Sequence, residues 1–211
     1  SLADVCELAD VIKTRVRSGG VTAVVVTHGT DTIEETAFGL DLLGAANEVP
    51  VVVTGAMRSP NQDGPDGPAN LHAAIVTALS EQAPGCGVLV VFDEAIHSAR
   101  WVTKATTHRS WGFSSAPLGP IGWVAEERAV IALRPVAHDV LPRPRRRPQP
   151  VPIWQVAPAD DLSLLTGLTD AGAPGLVLAG LGGGHVGAQA VERLTAVAAR
   201  IPVILSTRVS G

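Results

Sequence analysis

Short apolar runs alternate along the chain with segments whose apolar residues recur at helical spacing. The first helical pattern has apolar residues at positions 2, 5, 8, 12 and 16, and later ones cover residues 33–43 and 68–79. Runs rich in β-branched residues, typical of buried strands, cover residues 21–27, 49–54 and 88–92. This alternation predicts an α/β fold, with a parallel sheet of the flavodoxin or Rossmann type flanked by helices.

The pattern changes twice in the second half of the chain. Residues 95–133 break into short extended pieces around glycines, which predicts a hairpin-like excursion. After a stretch rich in Pro and Arg, strand patterns return at residues 153–157, 176–179 and 203–206. One helix is predicted to begin near Asp160, and another to cover residues 188–200. We therefore predict an N-terminal domain over residues 1–137, a linker over 138–152 and a partial, smaller α/β C-terminal domain over 153–211.

The end of the first apolar run is rich in polar side chains. Six residues there read T-H-G-T-D-T, directly before the second helical pattern. Ligands of open α/β sheets bind beyond the carboxyl ends of strands, so Thr30 and Asp31 are candidate site residues. The alternative is a helix start, since Asp31 with Glu34, or Thr32 with Glu35, has the spacing of a capping box. A cap needs only one side-chain oxygen. Since this segment offers several, a helix cap alone does not account for the polar cluster.

Composition excludes several classes of function. The 211 residues are 46% hydrophobic, enough to bury a sizeable core, but no apolar run reaches the roughly 18 residues of a membrane span. The net charge of −4 offers no general attraction for nucleic acid. Arg143 and residues 145–147 are interleaved with prolines, which favours a linker; an anionic partner is the alternative. Two cysteines without a spacing signal define no disulfide framework, and the histidines lack partners at metal-ligand spacing.

Lys104 is a candidate general base. Only two of the sixteen basic residues are lysines, Lys13 and Lys104, and the others are arginines. A guanidinium cannot be deprotonated in a protein, whereas a partly buried lysine amine can exchange a proton and activate a hydroxyl. A solvated loop lysine is the alternative interpretation. His28, inside the polar cluster, is either a general base or a histidine that is hydrogen-bonded within the turn.

Five segments, in order along the chain, carry short motifs. They are T-H-G-T-D-T with the following E-E-T, V-V-V-T-G-A-M-R, D-G-P-A-N-L, V-T-K and S-T-R-V. Together they resemble the bacterial-type L-asparaginase (asparaginase/glutaminase) family. The resemblance implies a threonine-dependent amidohydrolase that converts L-asparagine and water to L-aspartate and ammonia without metal or cofactor. It implies a relay in which Lys104 draws the proton from Thr30 and Asp31 orients the set, and substrate contacts by Thr30, Asp31 and the Ala56 carbonyl.

The sequence departs from the family pattern at both ends and in one loop. The family's T-G-G-T-I-like first strand carries the primary nucleophilic threonine, and a catalytic tyrosine follows in a mobile lid loop. This sequence has no such motif and no tyrosine. We therefore expect a chain truncated at both ends, without the first strand and the lid loop, that is inactive by itself. His185 stands where an asparagine of the family reaches the neighbouring subunit, which makes it a candidate intersubunit residue.

The resemblance also bears on partners, compartment and alternative functions. We expect a small-molecule substrate (L-asparagine or L-glutamine), no nucleic-acid or membrane partner, and a homodimer or homotetramer at full length. A cytoplasmic location is expected, with the periplasm or secretion left open. The alternatives are a glutaminase or the asparaginase-like subunit of a transfer-RNA amidotransferase, and a non-catalytic amino-acid-binding or interaction protein. Gly182, Gly184 and Gly187 also form a weak G-x-G-x-x-G signal for NADP.

Overall fold

The computed structural model describes residues 1–209 of the chain, which form two compact units. The first unit comprises Ser1–Arg146, and the second begins at Arg147. The elements of the first unit are α1 (Leu2–Arg17), β1 (Val24–Thr27), α2 (Ile33–Leu42), β2 (Val51–Thr54), α3 (Gly67–Ala78), β3 (Val88–Phe92), β4 (Ala95–Ser98), β5 (Thr103–Lys104), β6 (Phe113–Ser114), β7 (Gly122–Ala125) and β8 (Arg128–Ile131).

A six-stranded mixed sheet in the order β1-β2-β3-β4-β7-β8 forms the centre of the first unit. β1, β2 and β3 are parallel and flanked by helices, which confirms the predicted α/β class. β4, β7 and β8 are antiparallel instead. The chain reverses direction between β3 and β4 at Asp93 and Glu94, and between β7 and β8 at Glu126 and Glu127. These four residues have φ values between 48° and 62°, the left-handed conformation of tight hairpin turns.

Helices cover both faces of this sheet. α1 and α2 pack on one face, in a cluster that includes Ile33, Leu40 and Val53. α3 packs on the other face with Val52 and Ala74. Neighbouring residues of β2 enter different clusters because successive side chains of a strand point to opposite faces. β2 and β3 are buried throughout, whereas β1 at the edge of the sheet is half-buried for most of its length.

The carboxyl ends of the three parallel strands meet at one edge of the sheet. β1 ends at Thr27, β2 at Thr54 and β3 at Phe92. The buried Thr54 hydroxyl donates a 2.7 Å hydrogen bond to the Val91 carbonyl, which ties the ends of β2 and β3 together. The loops that follow these strands therefore gather at this edge.

The second unit is a smaller α/β arrangement. Its three-stranded parallel sheet has the order β11-β10-β9 and packs on a cluster that includes Leu165, Leu176 and Leu178. The elements are β9 (Ile153–Gln155), α4 (Leu165–Asp170), β10 (Leu176–Gly180), a short 3-10 helix (Ala188–Ala190), α5 (Val191–Ala198) and β11 (Val203–Thr207).

The helix expected near Asp160 begins later, at Leu165, so this part of the prediction was wrong. The Asp160 carboxylate accepts hydrogen bonds from the Leu162 backbone N–H and from Trp154 Nε1, each at 2.9 Å. Aspartate side chains that bond nearby backbone N–H groups favour a turn over a helix. The same hydrogen bonds, with that of Trp154 the largest cause, lower the pKa of Asp160.

The Pro- and Arg-rich segment begins against the first unit. The Leu141 N–H donates a 2.8 Å hydrogen bond to the Leu42 carbonyl at the end of α2. Arg143 forms an ion pair with Asp10 on α1. Part of the segment predicted as a linker is therefore packed on a folded domain.

Both cysteines of the chain are buried and unbridged. Cys6 lies in the cluster with α1 and α2, and Cys86 lies in the cluster with α3. Burial raises the pKa of the Cys86 thiol, against a smaller lowering by Arg134. Within residues 1–209, no helix has the length and apolar character that a membrane crossing requires, and no group of three or more His, Cys, Asp or Glu could hold a metal ion.

Candidate active site

The loop between β1 and α2 carries the polar cluster at the carboxyl edge of the sheet. Ile33, the first residue of α2, is fully buried in the core, and this anchors the helix start that ends the loop. Thr30 is half-buried, whereas the Asp31 side chain is 95% exposed. The loop therefore presents a hydroxyl and a carboxylate side by side, with the carboxylate open to solvent.

Lys104 reaches this loop from β5. β5 and β6 form a separate two-stranded ladder, in which Lys104 is opposite Phe113. The Lys104 Nζ lies 3.0 Å from Thr30 Oγ1 and 2.6 Å from Asp31 Oδ1, and its side chain is 20% exposed. The structure thus brings together a hydroxyl, an amine and a carboxylate whose residues lie 73 and 74 positions apart in sequence.

Lys104 also stabilises the ionised form of Asp31. Its hydrogen bond, and secondly its charge, lower the pKa of the Asp31 carboxyl, and burial raises it only slightly. Asp31 is therefore ionised at neutral pH. An ion pair whose carboxylate faces solvent adds little to folding stability. The contact with Lys104 matters more for geometry and chemistry than for the free energy of unfolding.

The expected helix cap is absent at this junction. Thr32 occupies the N-cap position of α2, but its side chain makes no capping hydrogen bond. Asp31 instead accepts from Lys104 Nζ, and the Glu34 carboxylate accepts a short hydrogen bond from the Lys104 backbone N–H. The Asp31–Glu34 capping box is absent because Lys104 binds both carboxylates, and the Thr32–Glu35 alternative is wrong because the Thr32 side chain makes no capping hydrogen bond. The contact between Glu34 and Lys104 was not predicted from the sequence.

Ala56, the other predicted site residue, lies in the loop after β2. It lines an open cleft of ≈ 370 Å³ with residues from the ends of β1 and β2 and from the start of α3: Thr27, His28, Gly29, Thr54, Gly55, Gly67 and Leu71. Glycine at position 55 lets the loop after β2 lie close to the loop after β1, because a Cβ there would lie 2.3 Å from the His28 carbonyl oxygen. The cleft therefore adjoins the loop that carries Thr30.

Asn70, buried on α3, holds the loops at this edge together. Its Nδ2 donates to the Gly55 carbonyl at 3.0 Å and to Asp66 Oδ2 at 3.1 Å. Its Oδ1 accepts the Asp93 N–H at 3.0 Å. One buried amide therefore links the loop after β2 to the turn after β3. Only the D-G-P-A-N-L motif marked this residue in the sequence, and the motif did not show which loops it joins.

Asp66 fixes the other end of the loop after β2. Its carboxylate accepts 2.9 Å hydrogen bonds from the backbone N–H groups of Met57 and Arg58. The residues directly after Ala56 are therefore held by their main chain. A rigid loop is what a backbone carbonyl needs if it is to orient a ligand.

His28 is hydrogen-bonded within its own neighbourhood. Its Nδ1 lies 2.7 Å from the Gly29 carbonyl oxygen, and its Nε2 lies 3.1 Å from Thr36 Oγ1 on α2. Both ring nitrogens thus have local partners, as the turn interpretation of His28 predicts. The structure gives it no contact with Thr30 among the described hydrogen bonds.

The second unit holds the remaining candidates. His185 is exposed in the loop after β10, where its backbone pairs with Leu181. Gly182 and Gly184 have φ values of 48° and 96°, so this loop uses glycine for its conformation. The 3-10 helix that follows leads directly into α5. The match to a dinucleotide loop is weak for another reason, because the next strand, β11, ends at Ser206 and Thr207 without the acidic residue that binds a ribose hydroxyl.

The fold is of the α/β class, and a hydroxyl, an amine and a carboxylate meet at the ends of its parallel strands. Comparison with known proteins identifies the family. Residues 1–137 match the family model "Asparaginase, N-terminal". The chain therefore belongs to the asparaginase family, as its motifs predicted.

Two relatives and one solved structure illustrate the similarity. The chain is 38% identical over 181 residues to an L-asparaginase of Bacillus licheniformis, covering 85% of this chain and 55% of the relative. It is 36% identical over 194 residues to a probable periplasmic L-asparaginase of Haemophilus influenzae, covering 88% and 54%. The crystal structure of a probable cytoplasmic L-asparaginase from Campylobacter jejuni has a TM-score of 0.87 at 30% identity, covering 97% of this chain and 67% of that protein.

The chain thus spans about 55% of the length of the curated relatives it matches. These relatives come from more than one compartment, since one is described as periplasmic and the structural neighbour as cytoplasmic.

Proposed function

We propose that this chain supplies part of the active site of an L-asparaginase, which hydrolyses L-asparagine to L-aspartate and ammonia. The observation that carries the proposal is the cluster of Thr30, Asp31 and Lys104, with Nζ 3.0 Å from the hydroxyl and 2.6 Å from the carboxylate. Its position at the carboxyl ends of parallel strands supports a binding role. The L-asparaginases among its relatives supply the reaction.

In the proposed mechanism, Thr30 passes a proton between the attacking oxygen and Lys104. In the structure Lys104 Nζ donates to Thr30 Oγ1 and Asp31 Oδ1. For the transfer Lys104 acts in its deprotonated form, which takes the hydrogen of the Thr30 hydroxyl while that hydroxyl accepts one from the attacking hydroxyl group. The ammonium that forms on Lys104 is stabilised by Asp31 and gives its proton to the amide nitrogen, which leaves as ammonia when the C–N bond breaks. Acid–base transfer of this kind needs groups within hydrogen-bond distance, which the present contacts supply.

Substrate recognition in this proposal uses the same edge of the sheet. The exposed Asp31 carboxylate accepts hydrogen bonds from the α-ammonium of a free amino acid as well as from Lys104. The Ala56 carbonyl accepts an N–H of the side-chain amide. The support for the second contact is the cleft that Ala56 lines and the hydrogen bonds that hold its loop.

We further propose that the 211-residue chain alone does not turn over substrate. The sequence contains no tyrosine and no T-G-G-T-I-like motif. It therefore lacks the groups that carry the first nucleophilic step in the family it resembles. The cluster described here supplies proton transfer and substrate contact, and the nucleophile would come from elsewhere.

A chimera tests this function. In the chimera, this chain replaces the segment of the Bacillus licheniformis L-asparaginase that it matches. We expect the chimera to release ammonia from L-asparagine, whereas the 211-residue chain alone releases none. A parallel assay with L-glutamine separates an asparaginase from a glutaminase.

Two results would count against the proposal. A folded chimera that binds L-aspartate in calorimetry without any turnover would favour a non-catalytic binding protein. Ammonia release by the chain alone would contradict the proposed need for an added nucleophile.

We also propose a cytoplasmic homodimer or homotetramer at full length, without nucleic-acid or membrane partners. Support for the compartment comes from the two buried, unbridged thiols and from the neighbour described as cytoplasmic. Support for the assembly comes from the family resemblance and from the exposed His185, which is available for an intersubunit contact. Sedimentation of the chimera with and without His185→Ala measures this contribution.

A further inference from the structure

Lys104 is held at both ends by one strand–helix junction. Thr30 and Asp31 bind its Nζ, while the Glu34 carboxylate on the first turn of α2 accepts its backbone N–H. The Glu34 contact joins residues 70 positions apart in sequence. The same few residues of the chain therefore fix both the main chain and the amine of Lys104.

We propose that Glu34 is a positioning residue for Lys104, which sets the main chain of β5 so that Nζ reaches Thr30 Oγ1. The proposal rests on the proposed function for its catalytic consequence, but its geometric part stands on the contacts alone. Glu34 is not a catalytic residue in this view, because the group it contacts is the main chain of Lys104 and not the reacting atoms.

β5 needs such an anchor because its own secondary structure is weak. It is two residues long and pairs with the two-residue β6, outside the six-stranded sheet, and beyond this ladder the N–H groups of Ala105 and Thr106 donate to the Gly112 carbonyl. An isolated pair of such short strands is marginal in water. A lysine side chain also has several rotatable bonds, so the position of Nζ is defined only if its main chain is fixed.

The β6 side of the ladder is anchored independently. The Phe113 ring packs on Phe92 at the end of β3, with ring centroids 4.4 Å apart. Ser115, directly after β6, is hydrogen-bonded through Oγ to His97 Nδ1 on β4 at 2.8 Å. On the β5 side, the carboxylate of Glu34 is the side-chain contact to the main chain of Lys104. A hydrogen bond with a charged acceptor is stronger than a neutral one, which suits this role.

Acetylation of the two lysines tests the geometric part on the 211-residue chain. Lys13 serves as an internal reference, since its Nζ donates to the Leu43 carbonyl, away from β5. We expect Glu34→Ala to raise the acetylation rate of Lys104 relative to Lys13 at least about fivefold, because loss of a charge-assisted hydrogen bond frees β5. Mass spectrometry of acetic-anhydride-treated protein measures the ratio.

Three further variants separate the effect of where the Glu34 acceptor oxygen lies from the effects of its charge and of misfolding. Glu35→Ala removes the neighbouring exposed carboxylate and should leave the ratio unchanged. Glu34→Gln keeps an acceptor oxygen and should restore most of the protection. Glu34→Asp keeps the charge but is one methylene shorter, so it should behave like Glu34→Ala even if the alanine variant does not fold. An unchanged ratio in folded Glu34→Ala or Glu34→Asp overturns the proposal.

Kinetics of the chimera test the catalytic part. We expect Glu34→Ala to lower kcat about tenfold or more and to leave KM within about twofold, with Glu34→Gln recovering most of kcat. If acetylation changes as expected and the wild-type chimera is inactive, the positioning role stands and the proposed function fails. If acetylation does not change, the positioning role fails whatever the activity.

Discussion

Replacing Lys104 by arginine is expected to lower kcat of the chimera for L-asparagine by about 10²–10⁴-fold. The guanidinium keeps the positive charge and can still donate hydrogen bonds to Thr30 and Asp31. It cannot release a proton in a protein, so it cannot accept one from the Thr30 hydroxyl. Lys104→Arg therefore removes the base and keeps the ion pair.

Steady-state ammonia release measures this effect, and Lys13→Arg is the matched control. Lys13 donates to the Leu43 carbonyl, which a guanidinium can also do, so this variant should retain full kcat. A Lys104→Arg chimera that keeps kcat within about fivefold of wild type would show that Lys104 acts as a positioning cation only. The proton relay would then be wrong.

Acidification is expected to destabilise the first unit through His97. This side chain is 3% exposed, Ser115 beside it is 1% exposed, and burial lowers the pKa of His97 to about 4. In the unfolded chain a histidine titrates near 6.5. The folded state therefore binds fewer protons than the unfolded state between these values, so stability falls as the pH falls. The loss reaches roughly 3 kcal/mol between about pH 6.5 and 4.

Urea unfolding of the wild-type chain and of His97→Gln across this pH range measures the effect. Glutamine can still hydrogen-bond to Ser115 but does not titrate. Asp31, Asp160 and Asp161, whose pKa values are also lowered, titrate in both proteins and cancel in the comparison. We expect the wild type to lose about 1.4 kcal/mol more than the variant per pH unit. Identical pH dependence in the two proteins would show that His97 does not determine acid stability.

Periodicity in the sequence predicted the parallel half of the sheet. The glycine-rich pattern of residues 95–133 predicted a hairpin-like excursion there, but not that β4, β7 and β8 extend the same sheet. β-branched runs such as Val51–Thr54 identify strands buried on both faces, and the helical spacing around them identifies the covering helices. The directions of β4 and β8 depend on two-residue turns in which aspartate and glutamate residues have positive φ. These residues carry no strong turn signal of the kind that glycine or Asn-Gly gives.

The residues of the candidate site were predictable where polar side chains are concentrated or a residue type is rare. Thr30 and Asp31 stand in a dense polar cluster at a strand end, and Lys104 is one of only two lysines. The contact that Glu34 makes was not predictable, because its spacing from Asp31 fits a capping box equally well. Its actual partner is 70 positions away. A tertiary contact of that length has no local signature.

Asn70 and the pair His97 and Ser115 show the same limit. Each is a common residue type whose importance comes from partners elsewhere in the fold: Gly55, Asp93 and Asp66 for Asn70, and Ser115, directly after β6, for His97. The D-G-P-A-N-L motif marked Asn70 only as part of a resemblance. Asn70 is structurally important because its one buried amide joins the loop after β2 to the turn after β3.

The proposed proton transfer through Thr30 is tested most directly by ammonia release from L-asparagine in the wild-type, Thr30→Val and Thr32→Val chimeras. Thr30 contacts Lys104 Nζ, whereas Thr32 lies two residues away and makes no side-chain capping bond. Valine has a similar shape to threonine but no hydroxyl. Thr30→Val is expected to lose about 10²-fold or more in kcat, and Thr32→Val to stay within about twofold of wild type. Equal activity of the two variants would contradict a role of the Thr30 hydroxyl in proton transfer.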